Sequence, residues 1–90
     1  MKKIIINTTH FKTFQSIKQK YPDAVVLLRI ADDYTTFNND AGILHRVTGN
    51  RLQTIPGIGN TCNFPFAELD SILNKLVKAG NKVALCDQLE

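Results

Sequence analysis

Apolar and polar residues succeed one another with different periods along this chain, and each period predicts an element. Phe11, Phe14, Ile17 and Tyr21 recur three and four apart, the stripe of a helix that Thr8 or Thr9 can cap and that Pro22 must stop. Before it, three β-branched residues in KIIIN, residues 3–7, predict a short strand or an extended lead-in. After it, AVVLLRI from Ala24 to Ile30 shows no alternation at all, which predicts a strand covered on both faces.

Asp33 to Phe37 predicts a second, shorter strand. NNDAGILHRVTG then predicts a helix from about Asp40 to Val47, with Asn38 or Asn39 as its cap, Ile43, Leu44 and Val47 as its stripe and Gly49 as its stop. Gly42 inside it makes this the weakest of the helices. Arg51 to Ile55 and Thr61 to Phe64 predict two strands of a hairpin joined by PGIGN, where Gly57 and Gly59 suit positive φ. Pro65 opens the strongest helix, in which Leu69, Ile72, Leu73, Leu76 and Val77 fill the i, i+3, i+4, i+7, i+8 template. Lys75 and Lys78 suit its last turns, and Gly80 caps its end. Lys82 to Cys86 predicts a final strand, followed by an acidic tail.

The order is β, α, β, β, α, β, β, α, β. It predicts an α+β fold, a mixed sheet of about five or six strands flanked by three helices, instead of a regular doubly wound one. No internal repeat and no linker interrupts it, so residues 1–90 are expected to form a single domain that stands alone.

Composition adds an ordinary globular chain, 43% hydrophobic and 21% charged. Charge adds an asymmetry beneath the net +3. Residues 1–20 hold five lysines, among them Lys12 and Lys18, and no acid; residues 21–50 carry four aspartates against Arg29 and Arg46; the remainder balances. A basic N-terminal patch can touch phosphates, although the plainer reading is a solvated helix face. MKKIIINTTH has only three consecutive apolar residues, too few for a signal peptide or a membrane span, which predicts a cytoplasmic chain.

Chemistry is sparse. Cys62 and Cys86 stand apart without a CxxC pair, and Cys86 in KVALC reads as a small buried apolar residue. His10 and His45 have no companions at ligand spacing, so no metal is expected. PGIGN supplies a G-x-G pair but opens no helix, so no nucleotide site follows. Neighbouring Asp32 and Asp33 point to opposite faces of an extended strand and form no acid pair. No enzyme and no cofactor are expected.

One stretch resists that reading. RIADDYTTFNNDA, residues 29–41, drives a fully apolar strand straight into two carboxylates and a tyrosine. A solvated turn, an acid or metal site, and the altered remnant of a binding motif all compete.

The third alternative gains weight from a resemblance. FPFAELDSILNKLVKAGNKVALCDQLE is similar to the end of the N-terminal domain of the MutS mismatch repair proteins, where an LDSYL-type helix leads to KLVKAG and a KVAICEQ strand. The first half agrees: a helix ending in KYPDA, an apolar strand, then RIADDYTTFNNDA against the family's RMGDFYELFxxDA. The likeness covers roughly residues 9–90.

The resemblance implies the mismatch-recognition domain. There a Phe-x-Glu pair works from the minor groove, the Phe as a wedge on an unpaired base and the Glu as its hydrogen-bond partner. A wedge is cheapest where stacking is already weak, so mispaired steps are selected by their low deformation cost. At the matching positions this chain carries Asp33 and Thr35 around a retained Tyr34, and Ala31 stands where the family has Gly. An aspartate cannot stack in a duplex, and phosphates repel it.

The expectation is therefore a MutS domain I-like DNA-binding module of mismatch repair whose mismatch reading is lost or altered. Asp33, Tyr34, Thr35, Lys12, Lys18, Arg46 and Arg51 are its candidate DNA contacts, with Tyr34 as a substitute stacker or, equally, a half-buried strand residue. Its expected partners are double-stranded or mismatched DNA, bound weakly, and a MutS-type repair protein. The alternative is a protein-interaction or regulatory module that reuses the fold without DNA.

Overall fold

The computed structural model describes residues 6–87. The strand expected over residues 3–7 lies outside them apart from Ile6 and Asn7, as does the acidic tail beyond Asp87. Helix α1 spans Thr8–Lys20, β1 Ala24–Ile30, β2 Asp33–Phe37, α2 Asn38–Thr48, β3 Leu52–Ile55, β4 Gly59–Pro65, α3 Leu69–Lys78 and β5 Lys82–Asp87. The strands form one five-stranded sheet in the order β3-β4-β2-β1-β5. Among the described residues only the β1–β5 pair is parallel, with Ala24 opposite Lys82 and Arg29 opposite Asp87. This is the α+β mixed sheet with three helices that the pattern predicts.

The sheet has helices on both sides, which is why β1 needs no alternation. Val26, Leu28, Ile30 and Phe37 pack against Phe14 of α1, with Phe11 and Ile17 beside it. Val25, Leu27, Tyr34, Cys62 and Phe64 pack on the opposite face against Ala41 and Leu44 of α2 and Ile72 and Leu76 of α3. Val26, Leu27 and Leu28 have no exposed surface, so each contributes about 1.5–3 kcal/mol of burial.

Several boundaries differ from expectation for local reasons. Asn7, not Thr8 or Thr9, caps α1: its Oδ1 accepts from His10 N at 3.1 Å, while Asn7 N donates to His10 Nδ1 at 3.3 Å. The carboxamide reaches the third helical N–H, so both threonines fall inside the helix. Neither Asn38 nor Asn39 caps α2, whose N-cap is Phe37 with no side-chain bond; Asn38 sits at φ 53. Pro65 does not open α3. It closes β4, paired with Asp33, and a 3₁₀ turn over Phe66–Glu68 precedes Leu69. Cys86 is half-buried on β5, which ends the sheet among the described residues, and Tyr21 at the end of α1 is 55% exposed.

Gly49 and Gly80 follow α2 and α3 at φ 81 and 92; Gly49 N donates back to His45 O, and Gly80 N and Asn81 N to Val77 O and Leu76 O.

Candidate nucleic-acid interface

The stretch that resisted assignment is a hairpin. β1 ends at Ile30, β2 begins at its partner Asp33, and Ala31 and Asp32 make the two-residue turn. Ala31 adopts φ 56, a left-handed conformation in which its Cβ crowds the backbone. A glycine there, as in the family's motif, carries no such penalty.

Alternation along β2 then deals out the candidate residues. Asp33, Thr35 and Phe37 share the face toward α1; Tyr34 and Thr36 share the other. Asp33 is half-buried and accepts a 2.9 Å hydrogen bond from Asn63 Nδ2 of β4. Asn63 O in turn accepts from Asn50 Nδ2 at 3.1 Å, which ties the carboxylate into a polar chain running back to the loop after α2.

Tyr34 is only 3% exposed. Its ring stacks on Phe64 at 5.7 Å, and its hydroxyl donates to Asp87 Oδ1 at 2.7 Å. Burial, then the Asp87 carboxylate, push its phenol above the usual value of 10.0, so the hydroxyl stays a donor throughout the physiological range. With both faces and the tip engaged, the ring presents nothing on which a base can stack. Thr35 has no exposed surface, and its Oγ1, like that of Thr36, has no hydrogen-bond partner.

The basic candidates are not gathered on one surface. Lys18 Nζ donates to Asp40 at 2.9 and 3.0 Å and to Ala24 O at 2.6 Å. Asp40 Oδ2 also accepts from Val26 N at 3.1 Å, the amide left unpaired where β2 turns away into α2. Lys18 is thus spent on a structural latch with a carboxylate that is 3% exposed. Lys12 is exposed on α1, on one side of the sheet; Arg46 is exposed on α2, on the other, and Arg51 follows in the loop before β3.

Asp40, Asp87 and Asn63 were missed from sequence because each acquires its role from a partner at least 14 residues away. Asp40 left a signal, an acid in the first turn of a helix, but that reads equally as a favourable dipole contact. Arg29 was also missed: its guanidinium lies 4.2 Å from the Phe66 ring and 5.9 Å from that of Tyr34, and its Nε donates to Ala31 O at 3.0 Å.

Among the described residues no group of three or more His, Cys, Asp or Glu gathers at metal-holding distance. His10 closes the α1 cap, and His45 Nδ1 lies 2.7 Å from Asn50 O. No helix of the described residues is long and apolar enough to cross a membrane.

Comparison with known proteins agrees with this architecture. The MutS domain I family profile matches residues 8–90. The DNA mismatch repair protein MutS of Porphyromonas gingivalis is 39% identical over 94 residues, covering 100% of this chain and 10% of the relative. That of Flavobacterium psychrophilum is 43% identical over 93 residues, 98% of this chain and 11% of the relative, and that of Bacteroides fragilis 45% over 83 residues, 88% and 10%. The chain spans about a tenth of the length of these curated relatives. The profile over residues 8–90 and the identity to these relatives show that the chain belongs to the MutS domain I family.

Proposed function

We propose that this protein is a non-catalytic, cytoplasmic DNA-binding module of mismatch repair, a single domain over residues 1–90, in which mismatch reading is lost or altered. The observation that carries it is the pairing of a family match over residues 8–90 with Asp33 and Thr35 at the places of the wedge and its hydrogen-bonding partner. Backbone contact then rests on Arg46 and Arg51 on and after α2, or on Lys12 on the opposite side of the sheet, and with so few counterions to release it is weak and salt-dependent. A MutS-type repair protein is the second partner of this reading.

Binding of the purified protein to a fluorescent duplex with a mismatch or an unpaired base, against its paired control at low and physiological salt, tests the reading. Salt-sensitive binding without mismatch preference is expected, and Asp33→Phe is expected to restore a preference. Wild-type preference for the mismatch would overturn the altered-reading part.

A protein-interaction or regulatory module is the second reading. It is favoured by the burial of Tyr34 and Thr35 and by the engagement of Lys18 with Asp40, which leave few side chains for DNA. No binding to either duplex at low salt would select it.

A further inference from the structure

Among the described residues the sheet ends in β3 on one side and β5 on the other, and the two strands are built differently. β3 is four residues long, and its middle pair, Gln53 and Thr54, is polar and exposed. A short polar strand offers little to a further one. β5 is six residues long and stays in register with β1 without a bulge, from Ala24 opposite Lys82 to Arg29 opposite Asp87. Its charges stand only at its two ends, and VALC between them holds no charge, proline or glycine. None of the usual features that keep an edge strand from pairing is present in that interior.

The side chains of β5 are also left partly uncovered. Val83 and Leu85 lie on the side of Val25 and Leu27, where α2 and α3 pack; Ala84 and Cys86 lie on the side of Val26 and Leu28, where α1 packs. Val83 packs against the cluster under α3, but Leu85 is 45% exposed. On the other side a cleft of about 530 Å³ lies between Thr9, Lys12 and Ser16 of α1 and Cys86 and Asp87 of β5, which leaves room for the side chains of a neighbouring strand.

The charges at the ends of β5 select that neighbour. A second copy of β5 laid antiparallel is related to the first by a two-fold axis perpendicular to the sheet, so each face meets the same face of the partner. Leu85 then meets the partner's Val83 or Leu85, and Ala84 and Cys86 meet the same small apolar pair. Exposed Lys82 of each copy comes beside the exposed Asp87 end of the other. A parallel copy would instead set Lys82 beside Lys82 and Asp87 beside Asp87, which like charges oppose. KVALCD is thus complementary to itself in one direction only.

We propose that β5 pairs antiparallel with β5 of a second copy of this chain, joining two five-stranded sheets into one across a two-fold axis. Main-chain hydrogen bonds supply the affinity, and the contacts of Leu85 fix the register. Six residues a side bury less than a standard interface, so the dimer is weak, with a dissociation constant on the order of micromolar or above. No DNA contact enters this pairing, which stands whether or not the chain binds a duplex.

Sedimentation velocity of the purified protein, from about 1 μM to about 1 mM, tests it. A monomer–dimer equilibrium is expected. Leu85→Lys changes an exposed position in both copies at once and is expected to raise the dissociation constant about tenfold or more. Lys82→Glu, which sets like charges together at both ends of the pair, is expected to weaken the dimer as well. Hydrogen exchange of the outward-facing amides of β5 reads the same edge, and protection that rises with protein concentration is expected. A monomer at every concentration would overturn the proposal, and protected outward amides in that monomer would assign the edge to a strand within one chain. A dimer that Leu85→Lys leaves intact in a folded variant would overturn it too.

Discussion

The hydroxyl of Tyr34 on β2 donates a 2.7 Å hydrogen bond to Asp87 on β5, although β1 lies between the two strands. The register explains how: Tyr34 sits opposite Arg29, and Arg29 opposite Asp87, so three side chains line up across the sheet on one face. The last strand is thereby tied to the hairpin that carries the altered motif.

Replacing Tyr34 by Phe leaves the ring in its place against Phe64 and removes the bond. A loss of about 1 kcal/mol is expected at neutral pH, since the acceptor Asp87 is exposed. The phenol's folded value is raised above 10.0, so the stability it contributes is present below pH 10 and is lost as pH rises through the raised value. Urea titrations across that window are expected to show a shallower alkaline decline in Tyr34→Phe than in the wild type.

Cys62 is 1% exposed, and burial pushes its thiol from 9.0 up to about 11. The neutral form is the one the fold accommodates, so stability is complete below pH 9 and falls as pH climbs toward 11. At pH 8 a thiol reagent is expected to label half-buried Cys86, while Cys62 labels only on unfolding. Mass spectrometry with and without urea reads both.

Ala31 holds φ 56 in the two-residue turn. Glycine there relieves a strain of about 1 kcal/mol, less the extra freedom it gives the unfolded chain, so Ala31→Gly is expected to raise the urea midpoint slightly. A fall would mean that the turn gains more from the alanine than the left-handed conformation costs.

Thr35 and Thr36 bury hydroxyls without partners. Valine matches threonine in shape and removes the polar atom, so Thr35→Val is expected to stabilise by about 1 kcal/mol. Gain of stability without change in duplex binding is the expected pair of readouts.

Lys18→Met strands the buried Asp40 carboxylate beside Val26 N. Destabilisation of about 2 kcal/mol is expected, moderated by the partial exposure of Lys18, and Lys18→Met with Asp40→Asn is expected to lose much less than the sum of the single changes. Four urea curves complete the cycle.

By itself the sequence determined the elements whose periodicity is driven by burial: β1 over AVVLLRI, β2 over DYTTF, the Leu69 to Leu76 stripe of α3 and the positive-φ glycines of the PGIGN turn. These depend on neighbours within a few residues, where spacing alone fixes which side chains share a face. It also marked RIADDYTTFNNDA as the place where apolar logic breaks down. What only the tertiary structure decided is where those unusual residues point and what they meet. Tyr34 reads identically whether it stacks on a ligand or on Phe64, and Lys18 identically whether it faces phosphate or Asp40, because the deciding partners lie 30 and 22 residues away in the chain. Long-range pairing of polar groups leaves no period in a sequence, since a hydrogen bond is satisfied by whichever partner the packed sheet and helices bring within about 3 Å.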